Sequence, residues 1–427
     1  MTRKMFLAKL LTAVVLTAAF QVFAADADFF KNVPDSGIKL SADKLYPQGR
    51  IFPFSGYSPH KNDYKKLLSS GFTALGPVYG KFDEFLKTCE KLDTNCMFQI
   101  QPYVDGKKLN KKEHLYNDEY KPKWDAIMAS IRGIVKKNAA NPKIAWWTLA
   151  PEELRYWQKN EYNYLKKAVK VIHEADPQKR PVYMYSPGHR NAKALSKVTK
   201  YLDIIGKGCY TNYSSQKKSR IWVRWTMEQE LGAIKISGRK NVTPILLPEM
   251  FQEPKPEELK LIPAWVRHDT YLGLVSGAKG VLIFSLWPRK KFPSHPVYLD
   301  AFCKVASEIN GKAALGQVFL FGQAKKDLKL NIVSGPATTS CKVRIRKIET
   351  FTYPSISFAN IAYKKERYLI AVNSTEQNVK AEFSGFPANA MAFNAVNGKA
   401  LTAPVNGKLN LELKPYEVIT LKFSKKK

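Results

Sequence analysis

The chain has 427 residues, 45% of them hydrophobic, and 69 lysines and arginines against 36 aspartates and glutamates give a formal net charge of +33. That length and apolar share exclude a disordered tail or a small disulfide-stapled polypeptide, and suffice for one large domain and a smaller one. The basic excess attracts polyanions. No helix-turn-helix, zinc-finger or aromatic ribonucleoprotein motif is present, so nucleic acid is set aside in favour of acidic glycans or of plain solvated lysine faces.

At the N-terminus Arg3, Lys4 and Lys9 precede the apolar run Leu10 to Phe20, and Val22-Phe23-Ala24 offers small residues for cleavage. This pattern predicts a signal peptide over 1–24 and a secreted or periplasmic mature protein. The apolar run is shorter than the roughly 20 residues needed to span a bilayer, and no membrane span is expected. The five cysteines (Cys89, Cys96, Cys209, Cys303, Cys341) are scattered, with no Cys-x-x-Cys or Cys/His cluster, so neither a metal nor another cofactor is expected. Cys89 and Cys96 are close enough in sequence to bridge.

From residue 49 onward short β-rich runs alternate with helical patterns. The runs are Arg50 to Gly56, Phe72 to Val78, Cys96 to Pro102, Ile144 to Ala150, Pro181 to Tyr185, Asp203 to Tyr210, Thr243 to Leu247 and Gly280 to Leu286. Between them lie segments with apolar residues at helical spacing, such as Ile127, Ile131, Ile134 and Val135. Eight near-continuously apolar strands, each followed by a helix, predict an α/β fold of the (β/α)8 TIM-barrel type over 25–312. A doubly wound sheet is the competitor, but its Gly-rich phosphate loop is absent. From 313 to 427 short alternating runs such as Arg367 to Val372 and Val418 to Phe423, split by Asn, Gly and Pro turns, predict a small antiparallel β-sandwich domain.

Chemistry in such a barrel sits at the C-terminal strand ends. Those ends carry Tyr57, Tyr79, Gln101, Tyr103, Glu152, Glu153, Tyr185, His189, Tyr210, Glu249, Trp287 and Arg289. Aromatic rings for sugar C–H faces and polar groups for hydroxyls suit a carbohydrate substrate. Each glutamate also has a plainer reading. Glu152 and Glu153 would cap the next helix or pair with Arg155, Glu249 would be a solvated loop carboxylate, and His189 would be an ordinary surface residue.

Trp146-Trp-Thr-Leu-Ala-Pro-Glu-Glu153 and Ile245-Leu-Leu-Pro-Glu249 resemble the strand-four and strand-seven elements of the retaining (β/α)8 glycoside hydrolases of clan A. The resemblance spans about residues 49 to 310. It implies an acid/base at Glu152 and a nucleophile at Glu249, with Trp287 as the floor of the sugar subsite and Tyr210 beside the nucleophile. Tyr57, Tyr103, Glu153, Tyr185, His189 and Arg289 complete the expected substrate contacts. Retention would call for carboxyl groups roughly 5 to 5.5 Å apart. The chain departs from the family at Pro151, where many members have Asn before the acid/base, and the neighbouring Glu153 leaves that assignment open. Arg289-Lys290-Lys291, Lys217, Lys218, Arg220 and Arg224 fall in the strand-eight and strand-six loops, which favours a sulfated or acidic polysaccharide or oligosaccharide. The alternative is a non-catalytic glycan-binding protein on the same barrel. Oligomeric state is not readable from these residues.

Overall fold

The computed structural model describes residues 28–34, 39–115, 121–344 and 347–426, and the expected signal peptide lies outside them. The chain divides into two compact units, one of residues 39–320 and 338–354, the other of the N-terminal segment with 321–337 and 355–427. No helix of the described residues is long and apolar enough to cross a membrane.

The first unit is the expected (β/α)8 barrel. Its strands are β1 (Phe54–Gly56), β2 (Ala74–Leu75), β3 (Asn95–Ile100), β4 (Ile144–Leu149), β5 (Val182–Ser186), β6 (Ile204–Cys209), β7 in two pieces (Thr243–Pro244 and Leu247–Pro248) and β8 (Val281–Ile283). Parallel pairing runs from β2 through β3, β4, β5 and β6 to β7. Backbone bonds from Leu282 N to Leu246 O and Phe284 N to Pro248 O join β7 to β8. The pairing of β8 with β1, and the bonds Thr73 N to Phe54 O and Ser58 N to Pro77 O, close the ring. β7 is broken because Pro244 and Pro248 have no N–H to give to a ladder.

Side chains alternate between the barrel axis and the helix layer. Met97, Trp146, Tyr183, Ile204, Ile245, Leu247 and Leu282 fill the axis with Tyr57, Tyr185 and Tyr210 above them. The same alternation turns Gly206 and Gly208 inward on β6. A Cβ on Gly208 would lie 2.8 Å from the Tyr185 hydroxyl and from the Tyr210 ring, so only glycine leaves room for that tyrosine pair. Trp147 and Lys207 face outward instead. The Trp147 indole donates to Asp176 at 2.8 Å under the Arg180 guanidinium, while Lys207 is wholly buried against the Trp225 ring with its ammonium 4.1 Å from the centroid.

The second unit is antiparallel. A five-stranded sheet is ordered Gln323–Ala324, Ile356–Tyr363, Glu366–Asn373, Val418–Lys425, Ala390–Asn394, and a three-stranded one Lys329–Ser334, Val379–Ser384, Lys408–Leu413. Leu369, Ala371, Ala381, Phe383, Leu413, Leu421 and Phe423 pack between them, as the alternating runs predicted. Two stretches depart from the expected boundary at 312. Phe29 is buried in this core, its ring 4.1 Å beneath the Arg367 guanidinium, although 25–312 was expected in the barrel. Conversely the hairpin Thr338–Arg344 and Ile348–Pro354 belongs to the barrel unit. Its Phe351 ring meets Trp225 at 6.0 Å, Tyr353 donates to Glu228 at 2.8 Å, and the Lys342 carbonyl accepts from Gln216 at 2.7 Å. These contacts supply the burial that a lone two-stranded hairpin lacks.

All five cysteines are free and buried, Cys89 and Cys96 included.

Candidate active site

Extending the inward alternation of β4 and β7 past their last paired residues brings Glu152 and Glu249 to the mouth of the barrel. At Glu153 the backbone turns into the left-handed region at φ 57°. That turn sends the two adjacent carboxylates apart. Glu152 approaches the Tyr79 hydroxyl, 3.5 Å from both of its oxygens, and Tyr57 also hydrogen-bonds to it. Glu153 lines a cavity with Tyr185 and His189, its carboxylate 3.9 Å from the Lys111 ammonium. Arg155 pairs with Glu161.

Glu249 is 6% exposed and sits in a cradle made by the loop after β6. The backbone N–H groups of Asn212 and Tyr213 donate to it, the latter at 3.1 Å, and the Thr211 hydroxyl lies 3.3 Å away. Behind the cradle, Arg220 clamps Asp269 through Nε at 2.9 Å and Nη2 at 2.5 Å, while reaching Thr211 at 3.0 Å. His268 completes the cluster, 2.9 Å from Asp269. The sequence places Arg220 among the loop cations expected to meet an anionic substrate, and it is instead a buried partner of Asp269 because an isolated carboxylate at that depth would be costly. Lys217 and Arg224 are likewise occupied, by Glu258 at 2.7 Å and Glu228 at 3.1 Å.

Burial pushes the Glu152 carboxyl up to about 7, helped by the charge of Glu153 and opposed by Tyr57, Tyr79 and Lys111. Burial takes Glu249 to about 7 as well, but there the opposing forces are the Asn212 and Tyr213 N–H groups and Arg220, with Asp269 acting the other way. Backbone N–H groups can only donate, so the Glu249 cradle favours a carboxylate. At Glu152 burial and the like charge of Glu153 favour the protonated acid, against the donating Tyr57 and Tyr79 hydroxyls.

The mouth between them is aromatic. Phe284 meets Tyr57 at 5.2 Å, Tyr210 at 5.6 Å and Tyr185 at 5.9 Å between ring centroids, and Phe251 crosses Tyr210 at 5.0 Å. Phe284 thus packs against the inward tyrosines at the end of β8. Trp287 is 52% exposed three residues further on, in a cavity of about 480 Å³ with Tyr79, Phe284, Ser285 and Arg289. Arg289 holds the Ser285 hydroxyl at 3.0 Å and lies over Phe251. A second cavity of about 520 Å³ gathers Glu153, Tyr185, His189, Tyr210, Tyr213 and Trp222 with Lys342 and Arg344 of the hairpin. Neither Glu152 nor Glu249 lines these two cavities. Glu152 bears on Tyr79 of the first, and Glu249 on the backbone of Tyr213 in the second. Tyr103 is not brought to the mouth: it lines a separate cavity with Phe82, Gln101 and Ser130. Among the described residues no cluster of three or more metal-ligating side chains exists.

No protein-family model matches this chain, and no curated protein matches it. Solved structures share its fold. The alpha-amylase from Geobacillus thermoleovorans complexed with acarbose superposes with a TM-score of 0.54 at 10% identity, over 88% of this chain and 99% of its own. An Anoxybacillus alpha-amylase gives 0.52 at 12% identity, covering 88% and 97%. AmyP in complex with maltotriose gives 0.52 at 10% identity, covering 88% and 96%. At that identity the likeness is one of fold, and it carries no residue of the site with it.

Proposed function

We propose that the protein is a glycoside hydrolase that cleaves glycosidic bonds with retention, using Glu249 as nucleophile and Glu152 as acid/base. The observation that carries this reading is the contrast between the half-buried Glu152 at the end of β4 and the buried Glu249 at the end of β7. Both are pushed up to about 7, but Glu249 is cradled by backbone N–H donors while Glu152 has the charge of Glu153 beside it. Glu249 as carboxylate attacks the anomeric carbon while Glu152 protonates the departing oxygen, breaking the C–O bond and leaving a glycosyl ester on Glu249. Glu152, now a carboxylate, takes a proton from water as that water attacks the anomeric carbon, breaking its bond to Glu249, which leaves as a carboxylate. The fold shared with alpha-amylases is consistent with a sugar substrate. The leader-like residues 1–24 make the protein an exported one in this reading.

A second reading, a glycan-binding barrel without turnover, is favoured by the depth of Glu249 and by the aromatic lid of Phe284 and Phe251. The two part on one experiment. The purified chain, Glu249→Gln and Glu152→Gln are incubated with a panel of neutral, uronic and sulfated glycans, and the first-formed anomer is read by NMR. Retention by the unsubstituted chain and a loss of at least about a thousandfold in each variant support the hydrolase. Turnover unchanged in Glu249→Gln removes the assignment, and glycan binding without turnover by any form selects the second reading.

A further inference from the structure

The cavity that holds the hairpin residues shares His189 with two neighbouring ones, of about 360 and 350 Å³, both lined by Arg190 and Trp157. Along this tract the ionisable lining is one-sided. Lys342, Arg344, Arg190 and Lys193 are cationic, while Glu153 is the acid present and is held by Lys111. Ion pairs tie Lys111 to Glu153 and Arg155 to Glu161, and leave Lys193, Lys342 and Arg344 without one among the described residues. Arg190 is the most telling member. It is 3% exposed and gives one N–H to the Leu154 carbonyl at 2.5 Å, yet its Nε and Nη1 are buried with no hydrogen-bond partner. A guanidinium buried with two unused donor atoms is unfavourable unless an acceptor arrives. Beside it Trp157 is 57% exposed and braced edge-on by Tyr156 at 5.0 Å, the disposition of a ring that offers its face to a flat ligand. Close packing also shapes the tract: a Cβ on Gly188 would fall 2.5 Å from the Gly208 carbonyl, so the chain can pass this close to β6 only as glycine.

We propose that this tract is a subsite for an anionic sugar residue, bearing a carboxylate or a sulfate ester, with Arg190 as the buried anchor, Trp157 as the stacking face and Lys342 and Arg344 as the opposite clamp. The planar guanidinium fork matches either anion, and the stacked ring recognises the sugar that carries it. This rests on the glycoside-hydrolase reading for its placement beside a reacting bond, but not for its ability to bind.

The test measures binding by the full chain carrying Glu249→Gln, so that affinity is read without turnover. Titrations at low ionic strength use neutral, uronate and sulfated oligosaccharides of equal length. At least about tenfold tighter binding of a uronate or a sulfated ligand than of the neutral one is expected, and the arm that binds names the anion. Adding Arg190→Gln, or Lys342→Gln with Arg344→Gln if the first does not fold, should cut that preference about tenfold. Lys329→Gln with Lys399→Gln in the C-terminal unit should leave it intact. Equal affinity for neutral and anionic ligands overturns the subsite, as does a preference unmoved by the tract substitutions or equally reduced by the distant ones. Anion preference with no turnover by the unsubstituted chain keeps the subsite and removes the hydrolase reading; turnover of a neutral glycan without preference does the reverse.

Discussion

The N–H of Tyr213 donates to Glu249 at 3.1 Å, and the same residue's ring lines the cavity that receives the hairpin. One loop residue therefore both holds the carboxylate and shapes the space beside it, so anything that moves the loop after β6 moves both.

The proposed mechanism needs Glu249 ionised and Glu152 protonated, and both are pushed up to about 7. The pH–rate profile is expected to be a narrow bell with its maximum close to pH 7. The charge of Glu153 raises Glu152, so Glu153→Gln should move the alkaline limb to lower pH and leave the acid limb in place. A profile that is flat between pH 5 and 9 would contradict both assignments.

Arg220 lowers the Glu249 carboxyl and neutralises Asp269. Arg220→Met should move the acid limb to higher pH and destabilise the protein by about 3 to 5 kcal/mol, because Asp269 is left buried without its partner. Arg220→Met combined with Asp269→Leu should recover much of the stability in urea melts, since the uncompensated charge is gone. A single variant as stable as the parent would show that the clamp on Asp269 is dispensable.

Glu152 in the folded chain titrates above its unfolded value of 4.5, so the folded state holds more protons than the unfolded one between pH 4.5 and about 7. Stability from this group is then present below that window and declines as pH rises through it. Glu152→Gln should accordingly raise the melting temperature at pH 8 and have little effect at pH 4. The expected gain is on the order of 1 kcal/mol, allowing for the partial solvent access of the carboxylate. The opposite pH trend would mean that the native state prefers the charged form.

Lys207 behaves in the other sense. Burial lowers its ammonium to about 7 against an ordinary value of 10.5, with Glu230 acting in opposition. Between those values the unfolded chain holds the extra proton, so stability rises with pH across the window and the cost of the buried cation is greatest below it. Lys207→Met should stabilise the barrel by about 1 to 4 kcal/mol at pH 6 and by less at pH 10. Calorimetry at the two pH values checks this, and destabilisation at pH 6 would show that the contact with Trp225 outweighs desolvation.

The barrel was legible because its strands are buried on both faces and read as apolar runs, each punctuated by a helical pattern. Glu152 and Glu249 were legible by their place after the fourth and seventh runs. Phe284 was not, since a phenylalanine within an apolar strand looks like core, whereas Trp287 beside a proline and an arginine looks like a site. The true partner of Arg220 was hidden for another reason: Asp269 lies inside the long helix Ile262–Val275, where a single acid reads as a solvated position. Tyr103 was placed at the mouth by counting to the end of β3, but the chain turns there into a small ribbon, Tyr103–Val104 with Lys107–Lys108, and carries the ring elsewhere. The run from Cys341 to Arg344 alternates cationic and apolar residues, and that signal fits a sandwich strand as well as a rim.

The hairpin leaves the C-terminal unit at Ala337 and re-enters it at Ser355, where Ser355 N donates to Ala337 O at 3.0 Å. A chain ended after Leu320 would keep all eight strands, both glutamates and the aromatic cover, and would still lack Lys342 and Arg344. The reacting groups and the Lys342 and Arg344 clamp are therefore borne by separate stretches of polypeptide, while Arg190 and Trp157 stay with the barrel. Exchange of some seventeen residues between two fixed anchor points would retune selectivity while leaving the barrel's own sequence untouched.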